Sequence, residues 1–95
     1  MARNEDVTLT AGTWTQLTAD DASLVCGQNK SGYAMTVMAT TSASAPSATS
    51  RAGYLVQPFK EFSFLLASAF PGLTSPVRMY AVCDHATIPV FVSHD

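Results

Sequence analysis

Charged residues are scarce in this sequence. Only 13% of its 95 residues are Asp, Glu, Lys or Arg, whereas about a quarter is usual in a globular domain. Much of the surface must therefore consist of Ser, Thr, Ala and Gly. Because a free-standing domain normally keeps more charge for solubility, this composition favours a subunit that packs against other subunits.

Basic residues and long apolar runs are also lacking. The five Lys and Arg residues are scattered and the net charge is −2, whereas a surface that follows phosphates needs clustered positive charge. No apolar run approaches the ~20 residues of a membrane span, and the first ten residues lack the apolar segment of a signal peptide. We therefore expect a protein made and kept in a cytoplasm, with no nucleic-acid or membrane partner.

The two cysteines show no metal-binding spacing. A structural zinc site needs four ligands, and two Cys and two His without a C-x-x-C motif do not supply a recognisable set. In a cytoplasm Cys26 and Cys83 should be reduced and behave as small core residues. A disulfide between them is the alternative, if their strands face each other. Glycine-rich phosphate loops and calcium-loop patterns are absent too, so we predict no metal and no cofactor.

Two short segments contain reactive residue types without a suitable arrangement. Ser93–Asp95 has the three residue types of a hydrolase triad, but neighbours on a strand point to opposite faces, and we expect a frayed polar tail. In Cys83–His85 the cysteine continues an apolar face, and the next two residues suit a turn. We therefore predict no catalytic residue and a protein that is not an enzyme.

Alternation of apolar and hydroxyl residues is the clearest pattern present. In Val7–Thr18, Val and Leu alternate with Thr, and Ala11-Gly12 interrupts the run, which is typical of half-buried antiparallel strands around a turn. The pattern recurs along the chain and predicts an all-β fold, a small antiparallel β-sandwich or barrel of about seven to eight strands. The predicted strands are Val7–Thr10, Thr13–Thr18, Ser23–Gln28, Tyr33–Thr40, Gly53–Pro58, Val77–Asp84 and Thr87–Ser93.

Two features near the end of the chain add detail. The segment Glu61–Phe70 suits a strand by its Phe alternation or a short helical turn by its Leu-Leu-Ala-Ser-Ala core. Asp84–Ala86 is short enough to join the last two strands as a hairpin. Because Pro89 lacks an N–H donor, it predicts that the last strand lies at an edge or is bulged near its start.

Two segments contain almost no large apolar side chains. Residues 1–6 resemble an N-terminal arm before a single β domain at 7–95, and residues 40–52 form a long Ser/Ala/Thr loop. We predict that other chains hold both segments. Arg3 and Arg51 would form ion pairs with a partner, and Trp14, among Thr residues on a face expected to be exposed, would be an apolar anchor.

The nine aromatic residues have two possible uses. An exposed set would stack on sugar rings or bases, but a small β domain needs most of its aromatics inside. We therefore expect Tyr33, Phe64 and Phe70 in the core.

The order of these features resembles the small β-rich virion structural proteins of tailed bacteriophages. The matching stretches are VTLTAGTWTQLT, DASLVCGQNKSGYAMTVMATT, the Ser/Ala/Pro loop, FPGLTSPVRMYAVCD and VFVSHD. The resemblance implies a virion location and a structural role. The main expectation is a capsid decoration or cement protein that binds and stabilises the lattice of the major capsid protein as a trimer. The alternative is a tail or head-fibre component that recognises host surface glycans.

Overall fold

A computed structural model describes residues 3–19, 22–41, 45–73 and 77–95. This part of the chain contains eight strands and one short helix, which confirms the predicted all-β class. The elements are β1 (Arg3–Leu9), β2 (Thr15–Gln16), β3 (Leu24–Asn29), β4 (Met35–Thr40), β5 (Tyr54–Val56), β6 (Glu61–Leu65), α1 (Leu66–Ala69), β7 (Arg78–Val82) and β8 (Ile88–His94).

The strands form two antiparallel sheets rather than a closed barrel. The first sheet has the order β1-β8-β3-β6 and the second has the order β2-β7-β4-β5. Alternate side chains of both sheets meet in one apolar core, as the period of a strand requires. Fully buried members of this core include Val25, Val90 and Val92 from the first sheet and Val37, Met79 and Ala81 from the second.

The last two strands do not form the predicted hairpin. β7 pairs with β2 and β4 in the second sheet, whereas β8 pairs with β1 and β3 in the first. The connection through Asp84–Ala86 therefore passes from one sheet to the other. A short link can span the ~10 Å between packed sheets as easily as it can reverse a strand, so loop length alone did not distinguish the two arrangements.

The prediction that β8 lies at an edge is also wrong, since this strand lies between β1 and β3. The carbonyl of Pro89 accepts a hydrogen bond from Lys30 N at 3.3 Å, one residue beyond the end of β3 at Asn29. The N–H and C=O of a strand residue point to the same neighbour. The missing donor therefore falls where the β3 ladder ends, and a central strand tolerates the proline there.

The N-terminal segment is part of the fold. β1 begins at Arg3 and pairs with β8 from Arg3 opposite His94 to Leu9 opposite Ile88. The prediction of an arm over residues 1–6 is therefore wrong for 3–6, and residues 1–2 lie outside the described residues. Backbone pairing does not need apolar side chains, which is why the polar start of this strand resembled an arm.

The ambiguous segment Glu61–Phe70 contains both predicted elements, since strand β6 leads directly into helix α1. Phe70 is buried and Phe64 packs against the core, as predicted. The prediction that Tyr33 lies in the core is wrong: this residue is 48% exposed, and its ring stacks on His85 with centroids 6.0 Å apart.

Candidate interaction surface

Trp14 is buried inside its own domain. It is 8% exposed and packs with Tyr80 and Val82 on the outer face of the second sheet. Its indole Nε1 donates a hydrogen bond to the carbonyl of Ser50 at 3.1 Å. The expectation that Trp14 lies on an exposed face is therefore wrong, because the long loop folds back over that face.

Arg51 holds the same loop. Its Nε and Nη2 each donate to one carboxylate oxygen of Asp84 at 2.8 Å, and its guanidinium carbon lies 5.9 Å from the centroid of the Trp14 ring. The hydrogen bonds from Arg51 lower the pKa of Asp84 below its usual value. The loop is thus attached to its own domain at Ser50 and Arg51, and residues 42–44 of the predicted loop lie outside the described residues.

Arg3 also has partners within the chain. Its Nη1 donates to the carbonyl of Leu17 at 2.9 Å, and its Nε lies 3.2 Å from Oε1 of Glu5. Each of the three predicted partner-contact residues, Arg3, Trp14 and Arg51, therefore has an intrachain role. The prediction that these residues contact other chains was based on a lack of partners within the domain, and these intrachain contacts remove that basis.

The C-terminal residues are ordered by specific hydrogen bonds. His94 is buried, and its Nε2 accepts a bond from Ala19 N at 2.9 Å. The Asp95 carboxylate accepts bonds from the N–H groups of Ser23 and Leu24 at 3.0 and 3.2 Å and from the Ser23 hydroxyl. These bonds lower the pKa of Asp95 to about 2. The expected frayed tail is therefore wrong.

These C-terminal residues do not form a triad. The Ser93 hydroxyl bonds to Asn4 Oδ1 at 2.5 Å, on the sheet face opposite to buried His94, as strand alternation requires. Both cysteines are free thiols, and Cys83 is buried in the core. Across the described ranges no three His, Cys, Asp or Glu residues gather in a way that would hold a metal ion.

The first sheet has two very different edges. At one edge, β1 carries Arg3, Glu5 and Asp6, and Asp6 pairs with Lys30 at 3.0 Å. At the other edge, β6 has the sequence Glu-Phe-Ser-Phe-Leu, with one charge and no proline. Charged residues and prolines are the usual protection against pairing with another strand, so β1 is protected and β6 is not.

The backbone of β6 is open along its outer side. Lys60 O accepts from Asn29 N, and Leu66 N donates to Ser23 O, so even-numbered residues of this segment turn their backbone groups toward β3. By alternation the N–H and C=O groups of Glu61, Ser63 and Leu65 point away from the sheet. No other strand among the described residues pairs with this side of β6.

Large exposed apolar side chains lie on this strand and in the segment that precedes it. We name the open side of β6, the adjacent strand β5 and the turn between them the β5–β6 edge. Its apolar side chains are Tyr54, Leu55, Phe59 and Leu65, which are 45, 61, 63 and 55% exposed. Leu24 on β3 is 42% exposed; it lies opposite Leu65 of β6 and extends the apolar surface.

Phe59 is held in a strained conformation at this edge. Its φ angle is 59°, a left-handed value that is unfavourable for a residue with a side chain. Its N–H donates to Ser31 O at 3.2 Å, and its carbonyl accepts from Gln28 Nε2 at 3.1 Å. The backbone is thus fixed at both ends while the ring projects into solvent.

Aromatic packing connects the elements at this edge. The Tyr54 hydroxyl donates to Ala69 O at 2.7 Å, and the Tyr54 ring lies 5.3 Å from the rings of both Phe64 and Phe70. These contacts join β5, β6 and α1. A surface that is already ordered loses little conformational entropy when it binds.

A shallow depression lies beside β6 on the outer face of the first sheet. Strand register places Asp6, Phe91, Gln28 and Glu61 in one row across the four strands. The depression is lined by Cys26, Gly27, Gln28, Glu61, Phe62, Ser63 and Phe91. It combines one exposed aromatic ring with hydroxyl, amide and carboxylate groups.

The β5–β6 edge is not among the surfaces predicted from the sequence. The available signal was the uncharged run Phe62–Phe70, whose Phe alternation indicated a strand. Whether that strand lies at the centre or edge of a sheet depends on pairing with β3, which is distant in sequence.

Comparisons of the chain with protein families, curated proteins and solved structures found no match. No helix in the described part of the chain is long and apolar enough to cross a membrane.

Proposed function

We propose that this protein is a non-catalytic structural subunit that binds other protein subunits through the β5–β6 edge. The observation that carries this proposal is the contrast between the two edges of the first sheet. β1 is charged and protected, whereas β6 presents free backbone groups beside exposed apolar side chains. Exposed apolar surface of this kind is typical of a protein contact, and an open strand adds backbone hydrogen bonds to it.

The proposal extends to a place in a virion, as a capsid decoration or cement protein on the major capsid protein lattice. Its support is the resemblance of the sequence to phage structural proteins, together with the low charge content of 13%. A subunit that binds the assembled lattice more tightly than its free components stabilises the assembled state by mass action. The resemblance implies a trimer, but the proposed role requires only association and does not depend on the number of copies.

Binding to purified phage particles tests this function. Leu55 on the β5–β6 edge and Phe91 on the outer face of the first sheet are both exposed apolar strand residues, which makes them a matched pair. We expect Leu55→Ser to reduce co-sedimentation with particles at least tenfold and Phe91→Ser to leave it unchanged. Equal effects of the two substitutions, or no binding by the unaltered protein, would contradict the proposal.

The depression beside β6 favours one second candidate, a fibre component that binds host glycans. Phe91 lies directly opposite Gln28, and Gln28 lies opposite Glu61. An aromatic ring beside an amide and a carboxylate can stack on a sugar and bond its hydroxyl groups. In a saccharide-binding screen this candidate predicts a ligand whose binding is lost in Phe91→Ser and kept in Leu55→Ser, the reverse of the pattern with particles.

A further inference from the structure

We propose that two copies of the chain pair through β6 in antiparallel orientation, with the twofold axis passing beside Ser63. This inference rests on the proposed function, because it names a second copy of the chain as the partner of β6 within the β5–β6 edge and leaves exposed Leu55 on β5 for the lattice. Pairing of this kind would join the two first sheets into one continuous sheet, with the β6 strands at its centre.

The backbone of β6 is complementary to itself in this register. Ser63 lies opposite Ser63 of the second copy, and Glu61 lies opposite Leu65. These are the residues whose N–H and C=O groups point outward, so each exchanges both hydrogen bonds with its counterpart. A slip of one residue would place outward groups opposite inward ones, and a slip of two residues would leave one of the three without a counterpart.

The side chains fit the same register. Leu65 lies beside the aliphatic stem of Glu61 of the second copy, and the two Glu61 carboxylates stay about 13 Å apart along the strands, four residues at ~3.3 Å each. Phe62 and Phe64 of opposite copies become direct neighbours, which extends the aromatic cluster around Tyr54. Aromatic cross-strand pairs of this kind stabilise antiparallel sheets.

The strained aromatic residue lies at the margin of this arrangement. Phe59 lies two residues before the start of β6 at Glu61, and its ring is 63% exposed in the single chain. An exposed aromatic ring beside paired strands is suited to contact the second copy.

Charge opposes pairing with a second copy only weakly. The whole chain has a net charge of −2, so two copies repel each other weakly, and the register brings no like charges together. β1 carries Arg3, Glu5 and Asp6, and charged side chains of this kind protect an edge strand against pairing. We therefore assign β6, and not β1, as the self-pairing strand.

Cysteine cross-linking tests the register. Cys26 Sγ lies 3.4 Å from Ser63 Oγ, so Cys26 must first be replaced by Ser to prevent a disulfide within the chain. Opposed residues of an antiparallel pair lie ~5.5 Å apart at Cα, within the range for a disulfide. We expect Cys26→Ser/Ser63→Cys to form a covalent dimer under mild oxidation, and the β1 control Cys26→Ser/Thr8→Cys to remain monomeric on non-reducing gels.

A proline substitution tests the hydrogen bonds. The N–H of Ser63 points away from β3, so Ser63→Pro removes no backbone hydrogen bond within the domain and loses only the contact between Ser63 Oγ and Cys26 Sγ. We expect a folded monomer by circular dichroism and sedimentation, whereas the unaltered protein sediments as an even-numbered oligomer. A substituted protein that stays associated, or an unaltered protein that is a monomer, would overturn the pairing.

The two proposals fail in different ways. A stable trimer that still binds particles would overturn the pairing at Ser63 and leave the proposed function intact. A cross-linked dimer that binds no particle would support the pairing and overturn the proposed function.

Discussion

The indole Nε1 of Trp14 donates a hydrogen bond to the carbonyl of Ser50 across 36 positions of the chain. This bond fastens the long Ser/Ala loop to the outer face of the second sheet, where Trp14, Tyr80 and Val82 form a second apolar cluster. The loop therefore completes the domain. The surface that we propose for partners lies elsewhere, at the β5–β6 edge.

Trp14 should contribute strongly to stability. Trp14→Ala removes a buried ring and should lower the free energy of unfolding by about 3–5 kcal/mol. Trp14→Phe keeps most of the packing and loses the bond to Ser50, at a cost of about 1–2 kcal/mol. Urea unfolding followed by circular dichroism measures both. Equal, small losses for the two variants would show that the loop does not depend on Trp14.

Asp84 should protect the loop from proteolysis. The two bonds from Arg51 to its carboxylate hold an arginine that would otherwise be a trypsin site. Asp84→Asn should speed cleavage after Arg51 while the midpoint of thermal unfolding changes little, because exposed ion pairs contribute little to global stability. Asp6→Asn, which breaks the ion pair with Lys30 at another part of the surface, is the control and should not alter this cleavage.

Asp95 should make stability depend on acid pH. Its pKa in the folded protein, about 2, lies below the ordinary value of 3.8, so the ionised form stabilises the fold. The contribution is complete above the ordinary value and is lost as the pH falls through about 2. Thermal midpoints between pH 5 and 2 should fall less steeply in Asp95→Asn than in the unaltered protein. Parallel curves would contradict this role.

Phe59→Gly should separate stability from association. Glycine adopts a φ of 59° without the cost of about 1–2 kcal/mol that a side chain adds, although it loses more backbone entropy on folding. We expect the stability of the separated chain to stay equal or rise by up to about 1 kcal/mol, while the dissociation constant for self-association rises. Sedimentation across a concentration series checks the second effect. Weaker folding with unchanged association would show that Phe59 serves the fold alone.

Local patterns in the sequence determined the class of fold. The alternation in Val7–Thr18 and in the later runs predicted strands close to those observed, because the side-chain period of a strand is read from neighbouring residues. The Glu61–Phe70 segment carried both of its local signals correctly, a strand followed by a helical turn. The mismatch of the Ser93–Asp95 residues with a triad likewise followed from alternation alone.

Which strand lies beside which was decided only by the tertiary structure. The central strand β8 tolerates Pro89 because β3 ends at the point where the N–H is missing. Trp14 is buried because a loop 36 positions away covers it. β6 lies at the edge of its sheet because β3 pairs with one of its sides and no other strand of the described residues pairs with the other side. These outcomes depend on pairing between residues far apart in sequence, which periodicity does not encode. The strand content was therefore local information, whereas the open edge and its exposed side chains emerged only when the two sheets packed.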